Sequence, residues 1–472
     1  MAKKLVLIHP SMRPGEKSFG NTPPLGLAYI AACTPGNWSI RIIDEHVEKI
    51  DYDISADLIG ITTYTRNANR AYELARHFRR KGITVVLGGI HVSMVPDEGG
   101  RYADSVVVGE GETVWPQLIA DFERGDLKAR YNALPSDPDA LPVPRRDLLR
   151  NSYEMDAVQT TRGCPFGCEF CCVSAFSGAR FKARSAESVL KELSTIKKKF
   201  VYFLDDNFLG WGRQAEVRAK QIFGSMIEAK MNKIWITQVS LNFAYNDELL
   251  RLAHRSGCRG VFIGIESVDI DNLRNMHKRV NATAGLEGIR NAVRRIQRQG
   301  IFVAGGFIFG NDNDDVGIFS KTIDFIRWAA LDAYEFQMLT PYPGTKLFKR
   351  LESENRLIYR AFPGDWDRCE DNVMFKPKRM NVVDLTRGFD RVIRTLYSRR
   401  TLAANMLRTL FHTRSALVAA LAYSWNNSTR RQYLQDWQRY GRRKKIAGAN
   451  GKTSRHAAGV PAQAATRAAT AH

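Results

Sequence analysis

The sequence predicts an α/β protein in three parts: an N-terminal doubly wound, Rossmann-like domain, a full or partial TIM-type β/α barrel, and a helical C-terminal region. Three observations lead there. Short apolar runs alternate with stretches of helical spacing in two successive series, four prolines separate the series, and the strand signal fades beyond about residue 375. Hydrophobic residues make up 44% of the 472 and charged residues 25%, a balance that builds ordinary cores and excludes wholesale disorder.

In the first series the apolar runs are residues 4–8, 40–43, 58–62, 84–87 and 105–108, each with the near-continuous hydrophobicity of a buried parallel strand. Helical spacing occupies 25–32 and 68–80 between them. Open sheets of this kind bind ligands beyond the carboxyl ends of their strands, here 62–65, Gly88-Gly89-Ile90-His91 and 109–112. Residues 134–144 hold Pro135, Pro138, Pro142 and Pro144, an extended linker. The second series has strands at 157–161, 201–204, 235–240, 260–265, 303–309 and 335–340, with helices such as 186–198 and 214–229 between. Residues 383–440 read as Arg-rich helices. The parts are therefore 1–134, a linker at 135–152, a barrel at 153–374, basic helices at 375–445 and a disordered tail at 446–472.

The opening stretch has four apolar residues before His9-Pro10, too few for a signal-peptide core, and no run approaches the ~20 residues of a membrane span. A cytoplasmic protein is expected. Its charge of +21 is concentrated late, since residues 391–445 carry thirteen Lys or Arg against Asp436 alone. The seven cysteines form no secretory framework: Cys164, Cys168, Cys171 and Cys172 cluster, while Cys33, Cys258 and Cys369 are scattered.

The cluster reads C-x3-C-x2-C directly after the first barrel strand, and closely spaced soft thiolates suit iron-sulfur or zinc. Structural zinc needs four ligands. Cys172 adjoins Cys171 too closely for both to reach one ion without strain, and neither Cys258 nor Cys369 belongs to a paired motif. Three ligands on a cubane leave one iron open, which a substrate-activating cluster requires. With Phe170 before the last cysteine, the motif resembles that of the radical S-adenosylmethionine (SAM) superfamily. The resemblance implies a 4Fe-4S cluster on Cys164, Cys168 and Cys171, SAM chelating the open iron, and Phe170 beside the adenine. It further implies SAM contacts from Asp205, Asp206, Gln238, Ser240, Glu266, Gly306 and Pro341, all at the carboxyl ends of barrel strands. Taken as residues alone, two aspartates after a strand also fit a helix cap or turn.

The N-terminal domain resembles the cobalamin (B12)-binding module of one branch of that superfamily, and the likeness covers roughly residues 3–370. It implies cobalamin contacts at Thr62, Gly88, Gly89, His91, Gly109 and Glu110. Asp44-Glu45-His46 begins an Asp-x-His-x-x-Gly pattern but has Lys49 in place of the glycine and follows the second strand, so His46 reads as a loop histidine.

A dinucleotide site is disfavoured, since no Gly-x-Gly-x-x-Gly follows the first strand and no phosphate loop occurs. A tRNA methylthiotransferase would resemble enzymes with three more N-terminal cysteines, where this chain has Cys33. Arg391, Arg394, Arg399, Arg400, Arg408 and Arg414 interleave with Leu396, Leu402, Met406, Leu407, Leu410 and Phe411. Two readings stay open for that stretch: a helical cap on the barrel, or attachment to the anionic inner membrane face. No nucleic-acid recognition motif accompanies the charge.

The resemblance implies a methyltransferase acting on an unactivated carbon or phosphorus of a small molecule, a lipid, tetrapyrrole or antibiotic precursor. One SAM methylates cobalamin and a second yields a 5′-deoxyadenosyl radical, with flavodoxin or ferredoxin as electron donor. A radical oxidative cyclase of the anaerobic Mg-protoporphyrin ester type and a non-catalytic iron-sulfur or zinc protein are the alternatives.

Overall fold

The computed structural model describes residues 2–12, 22–369 and 372–450, with side chains through Leu434. The first sheet contains β1 (Lys3–His9), β2 (Trp38–Asp44), β3 (Leu58–Thr62), β4 (Thr84–Gly88), β5 (Ser105–Val108) and β6 (Arg130–Asn132). All are parallel, in the order β2-β1-β3-β4-β5-β6. The order reverses at β1, so the carboxyl ends of β1 and β3 flank the crevice where such sheets bind ligands. The central strands are apolar on both faces because helices cover both. Ile59 and Ile61 meet Tyr72, Ala75 and Phe78 on one side, while Leu5 and Leu7 meet Leu27, Trp115 and Leu118 on the other. The edge strand β6 is absent from the sequence expectation, since only Tyr131 of its three residues is buried and no apolar run marks it.

β7 (Asp156–Val158) opens the second sheet, and β8 (Thr161–Arg162) pairs antiparallel with β9 (Lys182–Ala183). β10 (Phe200–Phe203), β11 (Ile234–Val239), β12 (Cys258–Glu266), β13 (Phe302–Phe309) and β14 (Ala333–Met338) complete it. Its six strands lie side by side in chain order and all parallel, with β7 and β14 at the edges, so it is a partial β/α barrel among the described residues. One expected strand, 157–161, is interrupted. The Asp205 carboxylate accepts from Thr160 N and Thr161 N at 2.7 Å each, which draws those amides away from the ladder.

Beyond the barrel come the helices Val382–Leu396, Arg399–Thr413 and Ala416–Asn450. The last helix continues through 446–450, which the sequence reading assigned to a disordered tail; residues 451–472 lie outside the described residues. These helices serve the barrel in two ways. Val418 and Ala422 fill the face of the sheet turned away from its helical ring, against Phe302, Ala304 and Ala333, and Trp425 stacks on Phe262. They also satisfy the open edge of β14. Asn426 accepts from Tyr334 N at 3.3 Å and donates to Asp332 O at 2.9 Å, and Tyr433 accepts from Phe336 N at 2.9 Å. Tyr397 and Tyr433 donate their phenolic protons to Tyr334 O and Phe336 O.

An unpaired strand edge is costly and adhesive, and here side chains close it instead of a further strand. Asn426→Ala leaves the buried Tyr334 amide without its partner, while Asp332 O keeps Asn405 at 2.8 Å, and is expected to destabilise the fold by about 1–3 kcal/mol, read as a lowered denaturation midpoint at unchanged m.

Candidate active site between the two sheets

Gly163 turns the chain from β8 into the cysteine loop. Its φ is +77°, and a Cβ there would stand 2.2 Å from Arg180 O, so only glycine fits. Cys168 is buried, Cys164 and Cys171 are half-buried, and all are free thiols. Burial pushes the Cys168 thiol up to about 11, Cys164 is raised for the same reason, and Lys278 opposes both shifts. The neighbouring thiols act on one another's ionisation, so the three sulfurs share one electrostatic environment. That donor set, soft and gathered on one loop, fits an iron-sulfur cluster. The loop is pinned by Glu169, whose carboxylate meets Arg350 at 2.8 Å and whose carbonyl accepts from Leu347 N at 3.0 Å. Cys172 starts the following helix, and burial lifts its thiol to about 12.

The expected SAM contacts divide. Phe170 packs against the barrel core. Asp205 is fully buried and its carboxylate accepts from Thr160 and Thr161, a bracing position. Asp206, one residue on, is exposed into the cavity described below; partial desolvation by the surrounding protein and then Asp205 lift its pKa to about 6. Gln238 donates to Tyr202 at 3.0 Å, and Ser240 accepts at 3.2 Å from Asn207, whose amide also lies 4.0 Å from Cys164 Sγ. Glu266, at φ +71°, pairs with Lys278 at 2.8 Å. Lys278 brings a positive charge to Cys164 and Cys168, and the sequence contains no signal for it because it follows a short helix outside any motif. Gly306 leaves room for the Phe262 ring, which a Cβ would meet at 2.6 Å, and Pro341 is buried just past β14.

A cavity of about 370 Å³ lies where the carboxyl ends of the two sheets face each other. The first sheet contributes Thr62, Gly88, Gly89, Gly109 and Glu110 over a floor that includes Leu7, Gly60, Val86 and Val107; the barrel contributes Arg162, Gly163 and Asp206. Gly89 has φ +101°, and a Cβ on it would stand 2.6 Å from Thr63 O, so this wall is bare backbone by necessity. An apolar floor with glycine walls suits a broad flat ligand such as a corrinoid. His91 stands behind this wall and not on it. It is fully buried, bonded to Thr65 Oγ1 at 3.1 Å and Glu98 Oε1 at 3.2 Å, and set edge-on to Trp366. The helix that begins at Ile90 turns each residue by about 100°, so Ile90 faces the cavity and His91 the interior.

Arg162 joins the two domains. Its guanidinium donates to Glu110 at 3.2 Å and Glu112 at 2.6 Å, and Glu110 also accepts from Ser136 N at 2.7 Å. Burial works to raise the Glu110 pKa, but the Ser136 hydrogen bonds and Arg162 outweigh it and hold the carboxyl below its ordinary range. A second cavity of about 790 Å³ runs along β14, walled by Glu335, Gln337, Phe389, Tyr397, Arg430 and Tyr433 among others.

Two outcomes are expected. Arg162→Ala strands two carboxylates and should cost about 3–5 kcal/mol at pH 7. A depressed carboxyl pKa contributes stability above the unfolded value of about 4.3 and loses it as pH falls, so the deficit shrinks in acid. Asp206→Asn has the opposite sign: a carboxyl raised to about 6 opposes folding when ionised, so the variant melts higher than wild type at pH 8 and equally at pH 3.

The sequence matches the Radical SAM superfamily over residues 158–326, the B12 binding domain over 15–119, and a domain of unknown function over 345–437. It is 31% identical over 415 residues to bacteriochlorophyllide d C-12(1)-methyltransferase of Chlorobaculum tepidum, covering 84% of this chain and 87% of that one. Against hopanoid C-2 methylase of Rhodopseudomonas palustris it is 30% identical over 369 residues, covering 75% and 67%. The fold resembles the radical SAM methyltransferase TsrM from Kitasatospora setae, solved with cobalamin and a 4Fe-4S cluster bound. The TM-score is 0.63 at 17% identity over 77% of each chain. The paired domains and the length of the shared sequence agree: this chain belongs to the radical SAM enzymes that carry an N-terminal B12-binding domain.

Proposed function

We propose that the protein is a cobalamin-dependent radical SAM methyltransferase acting on an unactivated carbon or phosphorus of a small molecule. One observation carries the reading: a single cavity is walled jointly by the glycine loops of the first sheet and by the barrel segment that enters the cysteine loop. Reacting groups held on two domains must meet in one place, and this is where they can. When bound, the cluster and SAM supply a 5′-deoxyadenosyl radical and the corrinoid supplies the methyl group.

The chain's own residues hold and enclose. Cys164, Cys168 and Cys171 are the proposed cluster ligands, with Lys278 tempering the charge of the thiolates. Asp206, Gln238, Ser240 and Glu266 are the proposed polar surround of SAM. Thr62, Gly88, Gly89, Gly109 and Glu110 are proposed to seat the corrinoid. The substrate is proposed to reach the cavity shared by the two domains, since its reacting atom must meet SAM and the corrinoid there. The relatives are named for a bacteriochlorophyllide and a hopanoid, so an amphiphilic small molecule is proposed. The electron is proposed to come from flavodoxin or ferredoxin.

Among the described residues no helix is long and apolar enough to cross a membrane. The helix Arg399–Thr413 nonetheless exposes Leu407 at 66% and Phe411 at 78%, beside the exposed Arg399, Arg400 and Arg414. Those residues support the membrane-attachment reading for a lipophilic substrate.

Protein prepared anaerobically with cobalamin should hold about four irons and one corrinoid per chain, with iron lost in Cys164→Ala. Iron without corrinoid would defeat the methylcobalamin reading. Methyl-labelled SAM should deliver label to product, whereas deoxyadenosine without transferred label would identify a cyclase. Leu407→Ser with Phe411→Ser should abolish sedimentation with phosphatidylglycerol vesicles at unchanged melting temperature.

A further inference from the structure

Beside the cofactor cavity, the ends of β1 and β2 bring together three side chains for which the function above has no use. His9 is the last residue of β1, Asp44 the last of β2, and His46 lies two residues beyond. His46 Nδ1 stands 2.8 Å from Asp44 Oδ1, and His9 Nδ1 approaches the same oxygen at 3.2 Å. The three donor atoms all lie within 4.8 Å of one another. Asp44 and the His46 side chain are almost wholly buried, at 5% and 6% exposure, and His9 largely so, at 18%. His9 Nδ1 is buried and makes no hydrogen bond of acceptable geometry, although it is aimed at the shared oxygen.

We propose that His9, Asp44 and His46 form a site for a first-row divalent cation, with zinc the first choice. Two imidazoles and one carboxylate are a donor set that such ions prefer, and a cation about 2.0–2.2 Å from each ligand sets the donors about 3.0–3.5 Å apart. Asp44 Oδ1 already lies 2.8 and 3.2 Å from the two ring nitrogens, close to that spacing. The surroundings have the build of a ligand shell. Tyr153 donates to Asp44 Oδ2 at 2.9 Å and so orients the carboxylate. Both strand ends are fixed: Glu45 N donates to His9 O at 2.9 Å, Ser11 N donates to Glu45 at 3.0 Å, and Arg70 grips the Glu45 carboxylate at 2.6 Å. Three protein donors leave at least one coordination position for water. The His9 ring lies 6.0 Å from that of Tyr64, a cavity-lining residue, so the ion places a double positive charge behind the cavity wall. This inference rests on neither cluster nor corrinoid.

The test measures zinc in the full chain carrying its cluster, by elemental analysis and by competition with a chromophoric chelator, with Co2+ as a spectroscopic substitute. Wild type should take up one zinc that Cys164→Ala retains and that His46→Ala and His9→Gln lose. Cobalt should show ligand-field bands without thiolate charge transfer. Tyr153→Phe should weaken binding roughly 10–100-fold. If His46→Ala does not fold, His9→Gln, at the more accessible donor, carries the comparison. Zinc uptake that is equal in wild type and His9→Gln, or that disappears with the cysteine loop, would show the trio to be a hydrogen-bonded cluster only and overturn the proposal.

Discussion

One guanidinium couples the two halves of the molecule. Arg162 stands two residues before the first clustered cysteine and reaches across to Glu110 and Glu112 on the loop after β5. The same loop and the same β8 segment wall the cavity, so the ion pairs that dock the domains also set the distance across the site. Buried pairs of this kind contribute little net stability compared with apolar contacts of equal volume, but they define a register. A second buried network supports it on the flank. Tyr29 donates to Glu192 at 3.1 Å, and Arg146 and Arg184 complete that carboxylate's shell. Away from Thr62, Glu110, Arg162 and Asp206, most of the cavity wall is glycine and apolar side chains.

Inside the barrel the polar side chains brace the loops more than they face ligands. Asp205 holds the segment entering the cysteine loop, and Arg218 supports it from below by donating to Thr160 O at 2.7 Å. Asp332 does the same work at the other edge, accepting from Gln297, Val303 N and Thr409 while its carbonyl accepts from Asn405 and Asn426. Burial raises both carboxyls, and several hydrogen bonds resist that shift, which is how a carboxylate is kept inside a core.

Eleven of the fourteen strands were legible because each carries a short apolar run bounded by polar or turn residues, unbroken in the central strands β1, β3, β4 and β13. The exceptions have specific causes. β6 buries one side chain, and β8 and β9 are two residues each, too short to show a period. The cysteine motif was visible as a spacing, and the cavity-lining glycines as a consequence of strand ends. The roles of Arg162 and Lys278 were not visible, since their partners lie about 50 and 12 residues away and local pattern does not encode which charges meet. The placing of His91 was not legible for a geometric reason, because one helical step separates a residue that faces the cavity from one that faces the core. Asp205 and Asp206 were equivalent on paper, and burial divided them into a brace and a cavity carboxyl.

The sealed edge of β14 also sets an order of assembly. Its backbone partners come from Asn426 and Tyr433, some 92 and 97 residues later in the chain. On the ribosome the N-terminal sheet can close upon itself early, whereas the barrel must wait with one strand edge bare until the final helices emerge. During that interval the nascent barrel is a template for pairing with other chains, and chaperone dependence should centre there. Synthesis stopped before the last helix would therefore yield an adhesive intermediate and not merely an inactive enzyme.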